Sequence, residues 1–524
     1  MGNIVRQPCD EGVISRRTAA RPCAKDSQRW VLAATILGSS MVFIDGTVVN
    51  VVLPALQTDL NATAKDVQWV VESYALFLAA LLLVGGSLGD HFGRRLVFSA
   101  GATLFALASV WCGLAPSITQ LIAARAVQGV GGALLVPGSL AIISASFAEK
   151  DRGQAIGTWS GFTAITAAVG PVIGGWLIEN VSFRAVFFIN VPLATVVVLL
   201  AFFHVPESHD EQATDALDWQ GAILATVSLG TTVYALIESS SLGFANRQVL
   251  AALVLGVISS ASFVFLEARK KNPMLPLALF HSRNFSGANL LTLLLYGALS
   301  GALFFFPLNL IQVQGYTATA AGAALFPFIL LMFVLSRWAG GLVKRRGAKL
   351  PLVIGPVLAA LGFALFARPG TGGSYWTTFF PAVVVLGLGM TISVAPLTTT
   401  VMNAVGTSWA GVASGVNNAV SRTAGLIAVA ALGIVMLHVF NDHLDQSLGD
   451  LRVSPEVHHA LDAERGKLAG AVVPADLDPI LQSALRKAIK ESFVSGFRDV
   501  MLIGAALSLV SSLAAWLFIN GGTT

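Results

Sequence analysis

The chain has 524 residues, of which 55% are hydrophobic and 11% charged, with a net charge of +4. Soluble domains carry about a quarter charged residues. This composition, with a mean hydropathy of +0.75, points to an integral membrane protein and excludes disorder, a collagen-like fibre and a coiled coil. It also argues against a β-barrel, whose apolar band alternates with polar residues and leaves bulk hydropathy low.

Residues 1–29 are polar and basic, with no cleavage site behind an apolar core, so they read as a cytoplasmic tail before an uncleaved anchor. Fourteen apolar runs follow, at 30–53, 67–89, 97–114, 118–146, 153–178, 185–204, 219–238, 248–266, 285–310, 320–342, 350–367, 376–401, 411–440 and 497–520. Each suits a spanning helix, which needs about 20 mostly apolar residues. The acidic stretch 205–218 reads as a linker on the inner face. The long polar segment 441–496 carries helical spacing over Leu477–Val500 and predicts a small extracellular cap. Cys9, Cys23 and Cys112 make no disulfide framework.

Lysine and arginine in short loops set orientation. Arg94, Arg95, Lys150, Arg152, Arg269, Lys270, Lys271, Arg283, Lys344, Arg345, Arg346 and Lys349 fall on the same side as the basic tail, whereas the opposite short loops hold only Lys65, Arg184, Arg247 and Arg368. Both termini are therefore expected in the cytoplasm.

Charge inside a membrane is expensive and marks function by default. Asp45, Glu72 and Arg125 lie in the first, second and fourth runs, at similar depth from the outer side. A movable arginine contact switches a carboxyl between protonated and ionised forms; the alternative is a static ion pair tying helices together. Glu72 alternatively reaches water at the helix end. Trp69 shares a helix face with Glu72 and suits a lipophilic cation, or else is an interfacial belt residue. Phe304, Phe305, Asn309, Asn417 and Asn418 are candidate cavity lining, with ordinary packing as the alternative. Arg422 needs a partner or water.

Asp90, Arg94 and Arg95 sit at the inner end of the second run, where adjacent arginines anchor the membrane edge. Gly157, Gly161, Gly170, Gly174 and Gly175 give the fifth run a flat face for close helix packing, and Pro171 permits a bend. His438, His443, His458 and His459 flank the outer segment and read as solvated residues, with no convergent metal set. No phosphate-cradling loop or hydrolytic motif is present, so neither a cofactor nor an enzymatic activity is expected.

The sequence also repeats. GSLGDHFGRRL (86–96) aligns with GGLVKRRGAKL (340–350), pairing Gly86 with Gly340, Leu88 with Leu342, Gly93 with Gly347 and Arg95 with Lys349 at one offset. QGVGGALLVP (128–137) echoes LGLGMTISVAP (386–396). Repeated helical halves mark secondary transporters.

These strings, with FIDGTVVNVVLP (43–54), LIAARAVQGVGGAL (121–134), AVGPVIGGW (168–176), FFINVP (187–192), DWQGAIL (218–224), NPMLPLALFHSRNF (272–285), IQVQGYTATAAG (311–322) and GVASGVNNAV (411–420), resemble the major facilitator superfamily. The closest likeness is to its fourteen-helix drug:proton antiporter branch, the EmrB/QacA type. Three departures stand out: Thr166 replaces a usual glycine of the antiporter motif, Phe183 and Ala185 around Arg184 stand for the aromatic pair usual before the sixth-helix motif, and Lys344 stands where the first loop motif has Asp90.

The resemblance implies an all-α integral membrane fold of two pseudo-symmetric six-helix halves, 30–204 and 285–524, with a linker and two extra helices over 205–284. It implies a gate at Asp90, Arg94 and Arg95, and a part in antiport for Gly170, Pro171, Gly174 and Gly175. The function it implies is proton-coupled multidrug efflux of amphipathic, cationic compounds, driven by the proton gradient, in the cell (inner) membrane. Asp45, Glu72 and Arg125 would couple protons. Asp45, Trp69, Glu72, Phe304, Phe305, Asn309, Asn417 and Asn418 would bind substrate. The alternatives are a transporter of one specific metabolite on the same fold, and a membrane-embedded enzyme or channel. The expected partners are small amphipathic molecules, protons and the lipid bilayer, with no nucleic acid; an adaptor or outer-membrane channel stays open.

Overall fold

The computed structural model describes residues 25–208, 218–270, 273, 275–405, 410–451 and 453–520. Most of the predicted tail and residues 209–217 of the acidic linker lie outside the described residues; residues 25–29 already belong to the first helix. The long helices are α1 (Lys25–Asp59), α2 (Ala64–Phe92), α3 (Arg94–Leu114), α4 (Ile118–Ser146), α5 (Glu149–Asn180), α6 (Asn190–His204), α7 (Trp219–Leu242), α8 (Arg247–Arg269), α9 (Arg283–Leu308), α10 (Phe326–Arg346), α11 (Lys349–Phe366), α12 (Phe380–Asn403), α13 (Ala410–Leu451) and α14 (Pro479–Phe518). Among the described residues 13 helical spans have the length and hydropathy to cross a bilayer, and α5 covers the remaining run, 153–178. No strand occurs among the described residues. The chain is therefore a multi-pass, all-helical membrane protein.

The polarity of the surface agrees. Phe202 of α6 is 66% exposed and Val257 of α8 is 68% exposed. In a bilayer such side chains face lipid, whose tails are as apolar as they are.

Two helices outrun the bilayer. α13 has 42 residues and α14 has 40, about 60 Å each at 1.5 Å per residue, against a hydrocarbon thickness of about 30 Å. The segment 441–496 is thus largely helical extension, joined by a short helix, Pro455–Glu464, and a 3-10 turn, Arg465–Gly470. The apolar runs end earlier because the exposed faces turn polar. The buried faces persist at helical spacing in Phe440, Leu444 and Leu448, and in Leu485, Ile489 and Phe493.

The predicted repeat has a structural basis. Gly93 (φ 112°) and Gly347 (φ 72°) end α2 and α10 in the region that favours glycine. A β-carbon on Gly86 would lie 3.4 Å from Pro137 of α4, and one on Gly340 would lie 4.0 Å from Ala395, beside Pro396 of α12. The motif-bearing helix thus meets the proline-bearing helix in the same way in each copy.

The described residues cluster into two compact units. The first takes residues up to Val49, Val70–Val227 and Ser259–Leu275; the second takes Asn50–Trp69, Ser228–Ile258 and the chain from Pro276 onward. The first unit's core includes Met41, Tyr74, Leu78, Phe98, Phe105 and Leu135, all nearly inaccessible. In the second unit Pro307 lacks an N–H for the helix ladder, and α9 continues as a π turn, Asn309–Val313, before Gly315 (φ 75°) stops it.

Candidate functional site

Two of the charges predicted to lie within helices, Asp45 and Arg125, meet in the first unit. Arg125 of α4 is 1% exposed and Asp45 of α1 is fully buried. Arg125 Nη1 donates to Asp45 Oδ2 in an ion pair. It also donates to Gln128 Oε1 at 2.6 Å, and Arg125 Nε donates to the Val70 carbonyl at 3.1 Å. The guanidinium lies over the Tyr74 ring, 4.1 Å from its centroid, and the Tyr74 hydroxyl donates to the Val42 carbonyl at 3.1 Å.

Asp45 Oδ1 has neutral donors. Gln128 Nε2 reaches it at 2.9 Å and Asn190 Nδ2 at 3.1 Å. Both amides also donate to Ser109 Oγ, at 2.8 and 3.3 Å. α1, α3, α4 and α6 therefore meet at one polar centre, in which both carboxylate oxygens are bonded. Breaking one partner of a buried pair costs about 3–5 kcal/mol. Asp45 lies deeper from its helix end than the apolar run suggests, because α1 continues through Pro54 to Asp59.

Gln128, Asn190, Ser109 and Tyr74 are members that sequence reasoning missed. Gln128 lies one helical turn from Arg125, and Asn190 lies in the FFINVP string; those were the available signals.

Glu72 of α2 is also buried, at 1% exposure. Its Oε2 has no hydrogen-bond partner, and it does not join the Asp45–Arg125 centre. The alternative in which it reaches water at the helix end does not fit this burial.

Asp90 pairs with Arg94 across the α2–α3 turn, accepting from Nη2 at 2.7 Å and Nε at 2.8 Å. Glu207 reaches the same turn. Its carboxylate accepts from the Arg95 and Leu96 amides at 3.0 and 3.2 Å and lies 3.6 Å from Arg95 Nε. An acid at a helix N-terminus satisfies free N–H groups and complements the dipole.

On α5 the small-residue face is real but shorter than predicted. A β-carbon on Gly170 would come within 2.7 Å of Thr47 Oγ1, and one on Gly174 within 2.0 Å of Val48 Cγ2. Gly157 meets nothing within 4 Å, so it takes no part in the close approach of α5 to α1. Pro171 and Gly175 are buried on the same helix.

In the second unit Trp69 does not stand free as a belt residue. Its Nε1 donates to Glu238 Oε1 of α7 at 3.3 Å, and Lys65 pairs with Glu238 Oε2 at 3.1 Å. Phe304 and Phe305 line a hollow of about 180 Å³ with Lys65, Gln68 and Leu437. Asn309 is buried and accepts from Gln314 at 3.2 Å. Asn417 donates to Asn289 at 3.1 Å and Thr292 at 2.7 Å, linking α13 to α9. Asn418 is exposed and bonds its own helix at the Ser414 carbonyl. The two phenylalanines thus line a hollow, Asn417 ties two helices, and the five predicted lining residues do not form a single cluster.

Segment 441–496 carries ion pairs of its own. Arg465 joins Asp445 and Asp462, and His458 lies 3.1 Å from Asp462. Desolvation raises the Asp462 carboxyl, but hydrogen bonds from His458 and Arg465 outweigh it and hold it below the usual range. His438 pairs with Asp442, and His443 with Ser495.

Repeated helical halves, spanning helices and a buried charged centre define the class: an integral membrane transporter fold. Residues 35–429 match the Major Facilitator Superfamily, and the chain belongs to it. It is 33% identical over 506 residues to the "Multidrug resistance protein Stp" of Mycobacterium tuberculosis (strain CDC 1551 / Oshkosh), covering 94% of this chain and 92% of that one. It is 32% identical to the "Tetracenomycin C resistance and export protein" of Streptomyces glaucescens, covering 92% and 90%. The fold is shared with the POT family transporter PepTSo, at a TM-score of 0.63, 14% identity, and coverage of 95% and 98%.

Proposed function

We propose that the chain is a proton-coupled exporter of amphipathic, cationic compounds in the cell (inner) membrane, with both termini in the cytoplasm. The observation that carries this reading is the contrast between two buried carboxyl groups of the first unit. Asp45 is bonded on both oxygens and neutralised by Arg125. Glu72 is buried with an unpartnered oxygen and, among the described residues, no ion pair. An isolated buried carboxylate is costly, whereas the neutral acid is tolerated, so Glu72 suits a proton carrier. Release of Arg125 from Asp45 frees a second carboxyl for a proton or a cation. The names of the full-length relatives, one for multidrug resistance and one for export, support the direction and class of cargo. The basic residues on alternate loops support the orientation.

In this reading Asp90 and Arg94 form a latch at the inner turn that breaks and reforms as the halves swing. Gly170, Pro171 and Gly174 let α5 slide along α1. Proton and drug are reciprocally coupled ligands: protonation from outside weakens drug binding, and inward deprotonation restores it.

The test is drug transport into inverted vesicles under an imposed proton gradient. Asp45→Asn should abolish uphill transport while the protein remains in the membrane; transport at the wild-type rate contradicts the reading. A second reading, a pump for one specific compound, is favoured by the relative named for tetracenomycin C alone. Transport of several unrelated cationic dyes decides against it.

A further inference from the structure

The inserted helix pair begins and ends at a cluster that lies apart from the Asp45 centre. Asp218 caps α7: its Oδ1 accepts from the Gly221 amide at 2.7 Å and forms an ion pair with Lys270. Glu267, in the last turn of α8, is 2% exposed. Its Oε2 accepts from the Leu275 amide at 2.7 Å. One oxygen of each acid is then left over. Asp218 Oδ2 and Glu267 Oε1 are both buried and neither has a hydrogen-bond partner.

These acids face each other. A β-carbon on Gly221 would lie 2.7 Å from Glu267 Oε1 and 2.8 Å from Asp218 Oδ1. A larger residue at 221 would push one of the two carboxyl groups aside. The carboxyl groups are within hydrogen-bonding reach of one another, and Lys270 is the cation that acts on both. The neighbouring Arg269 is turned away, its guanidinium 3.9 Å from the centroid of the Phe265 ring.

Among the described residues the charges do not balance with both acids ionised: two carboxylates face one ammonium in a buried corner. Like carboxylates that share a site do not both ionise freely, and an unpartnered buried oxygen carries a desolvation penalty. One proton between the two spare oxygens removes both problems. It supplies the missing donor and leaves the trio neutral.

We propose that Asp218 and Glu267 form a proton-binding site in which a single proton bridges Asp218 Oδ2 and Glu267 Oε1 and clasps the start of α7 to the end of α8. Desolvation raises the Asp218 carboxyl, but the hydrogen bonds from Lys270, Glu267 and Gly221 outweigh it and hold it below the usual carboxylate range. The shared proton therefore resides on Glu267. When it leaves, two carboxylates repel across Gly221, and the clasp between the start of α7 and the end of α8 loosens. The junction reports pH at the end of α7 and α8 that carries Asp218 and Lys270, and does so whether or not the protein moves drugs.

The test uses the full chain in lipid and needs no transport. Infrared difference spectra of the wild type against each variant should show a protonated-carboxyl band that disappears as pH rises and is missing from both Glu267→Gln and Asp218→Asn, while the signal of Glu72 is common to all three and cancels. Hydrogen exchange over the first turn of α7, corrected for intrinsic rate, should accelerate about tenfold over the same pH interval in the wild type. Glu267→Gln, which donates permanently, should stay protected throughout. Difference spectra in which neither substitution removes a band overturn the proposal, and so does equal protection of the first turn of α7 at every pH.

Discussion

In the first unit α1, α3, α4 and α6 close on an ion pair fed by two amides and a serine. In the second, the tie between α9 and α13 is neutral, made by Asn289, Thr292 and Asn417. The matching α1–α5 tie of the first unit is neutral too: Trp159 donates to Ser39 at 3.1 Å and Thr166 to Ser40 at 3.1 Å. The copies therefore share a modest neutral tie, and the Asp45–Arg125 pair is added to it in the first unit. Transmembrane polar ties contribute about 0.6 kcal/mol each, whereas buried ion pairs often do no better than apolar substitutes. A costly pair laid over an adequate neutral tie points to chemistry, here the proton step.

The largest effect should come from splitting the pair. Arg125→Gln leaves Asp45 buried without its cation and should lower stability by about 3–5 kcal/mol, read as an earlier thermal unfolding in lipid or detergent. Adding Asp45→Asn should restore much of that stability without restoring transport. A double variant that still exports against a gradient makes the pair a structural tie and erases the contrast.

Next comes the sliding face of α5. Gly174→Ala places a β-carbon against Val48 and should cost about 1–3 kcal/mol through overpacking, with slower turnover. Gly157→Ala meets open space and should be neutral in both assays. Equal effects at the two positions would show that the face is not local to 170–174.

The neutral tie should matter least to coupling. Asn417→Ala should destabilise the protein by about 0.6 kcal/mol and leave the protons moved per substrate unchanged, as measured by reversal potential in vesicles. A changed ratio would place coupling in the second unit as well.

The smallest effect concerns segment 441–496. The Asp462 carboxyl is held low in the folded protein. Its contribution is therefore present above its unfolded value, near about 3.9, and is lost as pH falls through the folded value. Protection of the helix Pro455–Glu464 against hydrogen exchange should drop only in that acid range. Loss near neutral pH would contradict the assignment to Asp462.

Much of this was legible in the sequence for identifiable reasons. Spanning helices announce themselves by hydropathy, so every run corresponds to a helix or helix pair. Asp45, Glu72 and Arg125 were visible because charge is rare there. Gln128, Asn190 and Ser109 were not, since a neutral polar residue in a helix carries no sign of where it points. The Trp69–Glu238 contact was hidden for another reason: Glu238 lies near the polar end of its helix, where an acid is unremarkable in sequence. Gly157 misled because spacing identifies a small face but not what lies opposite.

The central claim is that Glu72 and Asp45 carry the exchanged protons. The most direct measurement is proton release on adding a cationic substrate to purified protein in weak buffer. The account predicts release by the wild type, a reduced release by Glu72→Gln, and none by the variant that also carries Asp45→Asn. Undiminished release by that double variant would contradict it.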